Sequence, residues 1–477
     1  GGSLVDTQKA STSNRKLRRA MLRLSATSRL QYPVLRRTDR FLRHATSHQG
    51  TACPPPDGAN RIGAGIGRMC NLVFDRGEGS WVFTSQGERY LDFSTGIGVT
   101  NLGHCHPRVK AAVHEQVDKI WHAQVNIAYH QPMLDLTAKL QKAMPKNSGL
   151  DAFIFVTSGS EAVEAAVKLA RHATGKPNII VFQGGYHGRT LLTMSMTSSK
   201  TIYRAGYGPH AAGIHFAPHP YYQDRQGRLS DSVQWTMDQL EVLLLQQTTK
   251  DETAAVIIEP VLGEGGYVPP PPGLLQGIRD FCDRNDLLFI ADEVQSGFGR
   301  TGRMFAVERD MVSPDILVFA KGVASGLPLA GIASRRELTD KQPAGSQGGT
   351  YAGNAIACAA ANATLDIMME PGFLDSVEAR GGQLTEGFIA LQKKYPDVIK
   401  QVRGPGLMIG LEFDDAKVVK GFAGKVSKAC LARGLIVLPT GIFETLRIIP
   451  PLTVTESECE QCCAILAQAL EDVLKSD

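Results

Sequence analysis

The chain has 477 residues, enough for two sizeable domains or for one large domain with a smaller companion. Hydrophobic residues make up 43% and charged residues 21%, the usual proportions of globular domains, and no stretch approaches the roughly 18 uninterrupted apolar residues of a spanning helix, so we expect no membrane segment. The net charge of +4 arises in residues 1–50, which hold eleven Lys/Arg and two acids; the rest of the chain has 40 basic and 45 acidic residues, which argues against nucleic-acid binding.

Residues 1–50 form a basic N-terminal extension. From Met21 onward this segment is rich in Arg and Ser/Thr, contains one acid, Asp39, and can form a basic amphipathic helix. This composition is typical of a transit peptide, and it favours the mitochondrion because the segment has no apolar core of a secretory signal. The alternative is a basic tail with no targeting role, in which case we expect a cytoplasmic protein.

Segment 51–107 is predicted to pack with a small domain. It starts as a loop and continues through Gly63, Gly65 and Gly67, but no apolar strand precedes these glycines, so a dinucleotide-binding fingerprint is not predicted. The sequence WVFTSQGERYLDF then predicts two short strands around a turn at Gly87.

Short, almost wholly apolar runs alternate with amphipathic helices after residue 108. The runs are AFIFV (152–156), NIIVF (178–182), AAVIIEPV (254–261), LLFIADEV (287–294) and ILVFAKG (316–322). Such runs are typical of strands that are buried on both faces, so they predict an α/β fold with a mostly parallel sheet in a large domain at 108–352. Residues 353–477 predict a smaller α+β domain, in which Cys459, Cys462 and Cys463 serve packing on a helix.

The residues that end these runs carry the chemistry, because sites in parallel sheets form beyond the carboxyl ends of the strands. The first run leads into Gly159 and Ser160 at the start of a helix, a turn that can bind phosphate or can simply cap the helix. The second leads into Tyr186, which offers a ring for stacking, and Arg189, which suits a carboxylate. The alternative there is a core tyrosine and a surface ion pair.

The last two runs end in charged residues. Asp292 ends an apolar strand, where a carboxylate is costly unless a cation such as a protonated pyridine nitrogen meets it; the alternative is a helix cap. Lys321 also follows an apolar strand, and its burial would lower its pKa and free the amine for Schiff-base chemistry; the alternative is a lysine that reaches solvent. Together, the phosphate turn, the stacking ring, the acid and the amine predict a pyridoxal 5'-phosphate (PLP) site.

From about residue 60 to its end, the chain resembles the class III (ω-amino acid) aminotransferases of PLP fold type I. The resemblance lies in the blocks TSGSEAVEAAVKLAR, GGYHGRT, IIEPVLGEGG, ADEVQSGFGRTG, FAKG and GGTYAGNAIACAAA. Within the family, the chain is most similar to 4-aminobutyrate (GABA) aminotransferases of bacterial type. The resemblance implies a homodimer with active sites at the interface, PLP as cofactor, and small amino and keto acids as substrates.

The resemblance also implies cofactor contacts. Lys321 would carry the cofactor, and Asp292 would pair with the pyridine nitrogen. Tyr186 and Val294 would sandwich the ring, while Gln295 would contact its phenolic oxygen.

The phosphate and the substrate would be held by further residues. Gly159 and Ser160 would bind the phosphate, with Thr350 reaching it from the other subunit.

The carboxylate of the ω-amino donor would bind Arg189, and Ile97 would line the pocket. Glu264 would mask Arg447 for this donor and release it for the α-carboxylate of the second substrate.

The implied reaction moves the amino group of an ω-amino acid, first of all 4-aminobutyrate, to 2-oxoglutarate and yields succinate semialdehyde and glutamate. An ornithine-type or acetylornithine-type aminotransferase is the nearest alternative, although Ile97 and Arg189 favour the GABA type. β-Alanine and 5-aminovalerate are further candidate donors, because one methylene changes binding by only about 1–3 kcal/mol. A catalytically silent relative that acts as a binding protein is the alternative outside enzymes.

Overall fold

The structure is a computed structural model that describes residues 55–227 and 231–476. The predicted basic extension at 1–50, with its transit peptide, lies outside the described residues. The chain divides into two compact units, one through Asn71 and one from Leu72 to the end. Within the first unit, the described residues contain a short 3-10 helix at Ala59–Arg61. The second unit contains the elements that follow.

The strands, numbered in chain order, are β1 (Phe74–Glu78), β2 (Trp81–Thr84), β3 (Arg89–Asp92), β4 (Ala152–Val156), β5 (Asn178–Phe182), β6 (Ile214–Ala217), β7 (Thr253–Ile258), β8 (Leu288–Asp292), β9 (Ile316–Phe319), β10 (Ala330–Ser334), β11 (Ile399–Arg403), β12 (Ile409–Phe413), β13 (Leu435–Ile436), β14 (Leu438–Pro439) and β15 (Thr445–Ile448).

The helices are α1 (Pro107–Val117), α2 (Gln131–Ala143), α3 (Gly159–Thr174), α4 (Leu191–Met196), α5 (Tyr221–Asp224), α6 (Ser232–Gln246), α7 (Leu274–Asn285), α8 (Arg336–Thr339), α9 (Ala355–Met368), α10 (Phe373–Lys394), α11 (Phe422–Ala432) and α12 (Glu456–Ser476). Short 3-10 turns lie at Thr201–Tyr203, Ala306–Arg309 and Lys321–Ala324. No helix in the described residues is both long and apolar enough to cross a membrane.

A seven-stranded sheet in the order β4-β10-β9-β8-β7-β5-β6 forms the centre of the fold. Strands β9, β8, β7, β5 and β6 are parallel, whereas β10 runs antiparallel to β4 and β9. All five predicted runs are strands of this sheet, and β7, β8 and β9 are fully buried, as their apolar sequences predict. The predicted α/β fold with a mostly parallel sheet is confirmed. The carboxyl ends of β4, β5, β7, β8 and β9 meet at one edge.

Helix α3 starts at that edge because its first turn is stabilised locally. Ser158 accepts a hydrogen bond from the backbone N–H of Glu161, and the Glu161 carboxylate accepts one from the backbone N–H of Ser158 at 2.8 Å, which together make a capping box. Gly175 ends the helix in the left-handed conformation. The buried face of α3 is rich in alanine, which lets the helix pack closely on the sheet. Its N-terminal N–H groups therefore point to the site edge.

The described residues also form two four-stranded sheets, in the orders β1-β2-β3-β13 and β11-β12-β15-β14. The predicted hairpin is β2 and β3, with Gly87 at φ 85° in its turn. Strand β13 pairs in parallel with β3, so a C-terminal strand completes the N-terminal sheet. The domain boundaries at 107/108 and 352/353 remain predictions. In α12, Cys459 and Cys462 are buried and Cys463 is half-buried, as a packing role requires.

Candidate active site

A cavity of about 520 Å³ lies at the edge where the strand ends meet. Residues that follow β4, β5, β7, β8 and β9 line it, together with Arg447 of β15. Of the twelve site residues predicted from the sequence, eleven line this one cavity; they are Ile97, Gly159, Ser160, Tyr186, Arg189, Glu264, Asp292, Val294, Gln295, Lys321 and Arg447. Thr350 does not line it and lies in an exposed turn.

Lys321 lies two residues beyond β9 and is partly accessible through the cavity. Burial lowers the pKa of its amine, although the carboxylates of Glu259 and Asp292 act in the opposite direction. Its backbone has φ 46°, a left-handed conformation that is uncommon for residues other than glycine. The surrounding structure therefore holds a strained backbone where the reactive amine is needed.

Asp292 ends β8 and is buried, and its carboxylate is held on both oxygens. His187 Nδ1 donates to Oδ2 at 2.7 Å, and the backbone N–H of Val294 donates to Oδ1 at 3.1 Å. Burial opposes a charge on His187, but the hydrogen bond and the charge of Asp292 outweigh it and raise the pKa of the imidazole. No role for His187 is predicted from the sequence, although it lies between Tyr186 and Arg189 in the block GGYHGRT.

Glu259 follows β7 and was likewise not predicted. It is buried, and its two oxygens accept hydrogen bonds from the backbone N–H groups of Tyr186 at 2.7 Å and Gly263 at 3.0 Å. Burial, with a contribution from the nearby charge of Asp292, raises the pKa of Glu259 to about 7. Glu259 therefore joins the loop of Tyr186 to the loop that continues to Glu264.

The N-terminus of α3 forms one end of the cavity. A Cβ atom at Gly159 would lie 3.0 Å from Cγ1 of Val294 and 3.6 Å from Cβ of Ala320, so a larger residue would fill the space beside these N–H groups. Ser160 Oγ accepts a hydrogen bond from the backbone N–H of Arg189 at 3.3 Å. This end can hold a phosphate group.

Two arginines line other parts of the cavity, and they differ in whether a carboxylate pairs with them. Arg447 is buried, and its Nη1 donates to Oε1 of Glu264 at 2.6 Å. Burial alone would raise the pKa of Glu264, but the charges of Arg447 and Lys200 outweigh burial and lower it to about 2. Arg189 is exposed to the cavity, and its guanidinium lies 4.8 Å from the centre of the Tyr203 ring. Within the described residues, no carboxylate lies within ion-pair distance of Arg189.

Ile97 lies in a left-handed turn, Thr95–Gly98, opposite these groups. Its φ of 69° is unusual for a β-branched residue and is held by a hydrogen bond from its N–H to Ser94 O at 2.7 Å. Gln295 Nε2 donates to Ile97 O at 3.2 Å, which connects the turn to the loop after β8. Ile97 is 44% exposed and borders the cavity.

Lys200, which no sequence motif indicated, pairs with the second oxygen of Glu264. The distance from its Nζ to Oε2 is 2.7 Å, and Tyr203 OH lies 3.4 Å from the same oxygen. Glu264 therefore has one cation on each carboxylate oxygen.

The model of the aminotransferase class-III family matches residues 64–470. The chain belongs to the class-III aminotransferases. It is 40% identical to the 5-aminovalerate aminotransferase of Pseudomonas putida over 86% of this chain and 96% of that protein. It is 38% identical to the 4-aminobutyrate aminotransferase of Escherichia coli over the same shares, and 38% identical to the acetylornithine aminotransferase of Agrobacterium fabrum over 82% and 91%. Among solved structures, a PLP-bound amine transaminase from an uncultivated Pseudomonas species has a TM-score of 0.79, with 30% identity over 90% of this chain and 98% of that one.

This class-III aminotransferase is therefore a PLP-dependent transaminase of amino and keto acids, and its cavity fits the cofactor. The fit rests on the amine of Lys321, the buried carboxylate of Asp292, and the glycine at the start of α3, where a side chain would intrude. The predictions of family, fold, enzyme class and cofactor are confirmed.

Proposed function

We propose that the enzyme transfers the amino group of an ω-amino acid, first of all 4-aminobutyrate, to 2-oxoglutarate. The observation that carries this proposal is the contrast between the two arginines. Arg447 is paired with Glu264, whereas Arg189 is open to the cavity. A donor with a single, distal carboxylate needs one free cation, and Arg189 supplies it. The second candidate donor is 5-aminovalerate, because the relative that is 40% identical carries that name.

Lys321 is the proposed catalytic base. When bound, PLP supplies an electron sink for the negative charge that develops on the amino-bearing carbon of the donor. Nζ of Lys321 removes the proton from that carbon, and the burial that lowers its pKa favours the uncharged form that can accept a proton. Asp292 would accept a hydrogen bond from the protonated ring nitrogen, and His187 holds the Asp292 carboxylate in place.

The remaining cofactor residues orient the ring and the phosphate. Tyr186 and Val294 line the cavity and would hold the ring between them, and Gln295 would contact its phenolic oxygen. Gly159 and Ser160 would hold the phosphate at the start of α3. Ile97 limits the space beside the donor chain.

Arg447 serves the second substrate. 2-Oxoglutarate and glutamate carry an α-carboxylate in addition to the distal one, so they need two cations. Arg447 provides the second when Glu264 moves away from it. One cavity thereby accepts two ligands of different charge by an exchange of ion-pair partners.

The enzyme is proposed to act as a homodimer. Thr350 lies outside the cavity of its own chain, as expected of a residue that contributes to the site of a partner. Several large apolar side chains around 120–130 and next to Thr350 are exposed, and a partner would cover them; they are Trp121, Ile127, Tyr129 and Tyr351. Light scattering of the holoenzyme should give twice the chain mass, whereas a fully active monomer would contradict the proposal.

Mitochondrial import is proposed for residues 1–50, on the basis of composition alone. The segment precedes the start of the family match at residue 64. Fusion of residues 1–50 to a fluorescent protein tests this proposal, and diffuse cytoplasmic fluorescence would contradict it.

The substrate proposal is tested by the first half-reaction. The holoenzyme is mixed separately with 4-aminobutyrate, 5-aminovalerate, β-alanine and ornithine, and the rate at which each removes the visible absorbance of the cofactor is compared. We expect 4-aminobutyrate to react fastest. A faster reaction with ornithine would favour the ornithine-type alternative.

A further inference from the structure

The carboxylate of Glu264 lies between two cations, one at each of its oxygens. Arg447 Nη1 lies 2.6 Å from Oε1, and Lys200 Nζ lies 2.7 Å from Oε2. The side chain of Glu264 is 12% exposed and that of Lys200 is 17% exposed, so both charges are largely removed from solvent. Such a carboxylate needs at least one cation at all times, because an unpaired buried charge is strongly disfavoured.

The two cations differ in their access to substrate. Arg447 and Glu264 are among the described residues that line the cavity, and Lys200 is not. Lys200 contacts Glu264 and Tyr203, which do line the cavity. Its charged partner there is the carboxylate of Glu264, so its role is that of a positioning residue that acts through Glu264.

The position of Lys200 is fixed by its neighbours. Its Nζ lies 5.5 Å from the centre of the Tyr203 ring. On another side, a Cβ atom at Gly441 would lie 2.8 Å from Cε of Lys200 and 3.2 Å from Nζ. The absence of a side chain at residue 441 therefore leaves the space that Lys200 occupies.

We propose that Lys200 is a specificity-determining residue that keeps Glu264 paired when Glu264 leaves Arg447. This proposal rests on the proposed exchange of ion-pair partners. In the state that accepts an ω-amino donor, Glu264 bridges both cations. In the state that accepts an α-carboxylate, the substrate binds Arg447 and Glu264 keeps Lys200 as its partner. Lys200 thus lowers the free energy of the second state relative to the first.

The variant Lys200→Met tests the proposal, because methionine retains the length of the side chain and removes its charge. The measured quantity is the ratio of the second-order rate constants with which L-glutamate and 4-aminobutyrate remove the visible absorbance of the holoenzyme. Without Lys200, Glu264 has only Arg447 as its cation, so the state that accepts glutamate becomes costly. We expect the ratio to fall by about tenfold or more, which corresponds to about 1.4 kcal/mol. Lys200→Arg should restore most of it.

The matched control is Lys139→Met. Lys139 also pairs with a carboxylate at 2.7 Å, that of Asp366, and neither residue lines the cavity. The control should leave the ratio unchanged. Gly441→Ala is a second variant that keeps the charge of Lys200 but moves it; the residue has no positive φ that alanine would resist, and the ratio should fall in the same direction. Cofactor content and melting temperature verify that each variant folds.

A double variant separates positioning from a general structural effect. In a Glu264→Ala background, Lys200→Met should not change the ratio further, because the residue through which Lys200 acts is missing. An independent effect of Lys200 in that background would overturn the proposal. A ratio that rises in Lys200→Met would also overturn it, since Lys200 would then hold Glu264 against Arg447. Equal losses with both donors would show a structural role only.

The failure of this proposal is distinguishable from failure of the proposed function. If the wild-type holoenzyme reacts with no ω-amino donor, the proposed function fails and the role of Lys200 fails with it. If the wild type reacts with 4-aminobutyrate and the ratio does not fall in Lys200→Met, only the role of Lys200 fails.

Discussion

Removal of Glu264 should shift the preference of the enzyme from 4-aminobutyrate towards glutamate. In the wild type, Glu264 neutralises Arg447 within a buried site, so 4-aminobutyrate meets one free cation and glutamate must first displace a carboxylate. In Glu264→Ala, the buried cation of Arg447 has no partner. The variant should therefore favour glutamate, which brings a carboxylate, and disfavour 4-aminobutyrate, which leaves Arg447 unpaired.

The size of the effect follows from the electrostatics of the site. The cations around Glu264 lower its pKa from an ordinary 4.5 to about 2 against the effect of burial, a net stabilisation of the charged form of about 3 kcal/mol. Arg447 and Lys200 share this interaction, so only part of it holds Glu264 against Arg447. A loss of about 1.4 kcal/mol of it corresponds to a tenfold change in the preference between the two donors.

The assay follows the loss of cofactor absorbance after rapid mixing of the holoenzyme with L-glutamate or with 4-aminobutyrate. The ratio of the two rate constants should rise at least about tenfold in Glu264→Ala. Glu264→Asp, which keeps the charge on a shorter side chain, should give an intermediate ratio. A ratio within twofold of the wild-type value would refute the exchange of ion-pair partners at Arg447.

Three further predictions concern the cofactor and the buried acids. His187→Asn should slow both half-reactions by about tenfold or more, because Asp292 loses a charge-assisted hydrogen bond, while the donor ratio stays unchanged; a selective change in the ratio would argue against a role through Asp292. Thr350→Ala should weaken PLP binding in fluorescence titrations by about fivefold to tenfold if Thr350 contacts the phosphate of the partner site, and unchanged affinity would remove it from that site. Glu259 has a pKa raised from 4.5 to about 7, so the buried protonated acid stabilises the fold fully below pH 4.5 and this contribution is lost as the pH rises through 7. The melting temperature of the wild type minus that of Glu259→Gln should therefore fall between pH 5.5 and 8, and a constant difference would contradict the raised pKa.

Five strands of the central sheet could be predicted because they are almost wholly apolar. The runs that became β4 and β5 were predicted with their observed bounds, since no polar residue interrupts them. Strand β10 was not predicted, because its sequence AGIAS is made mostly of small residues with a weak apolar signal. Strand β6 was missed because its sequence, IHFA, is short and partly polar.

The site could be predicted where a charged residue follows an apolar strand, as Asp292 and Lys321 do, and where a family motif adds a role, as for Arg189. Contacts between distant segments could not be predicted from the sequence. Lys200 precedes Glu264 by many residues and lies in no motif, so only the folded chain brings the two together. Glu259 ends a predicted run, but its bonds to two backbone N–H groups depend on how both loops turn.

The most direct test of the account follows the nitrogen atom itself. The holoenzyme is incubated with 4-aminobutyrate labelled with ¹⁵N and with unlabelled 2-oxoglutarate, and the products are analysed by mass spectrometry. We expect ¹⁵N-labelled glutamate and succinate semialdehyde in equal amounts. Glutamate without label, or no reaction of 4-aminobutyrate in the presence of PLP, would contradict amino transfer from this ω-amino acid.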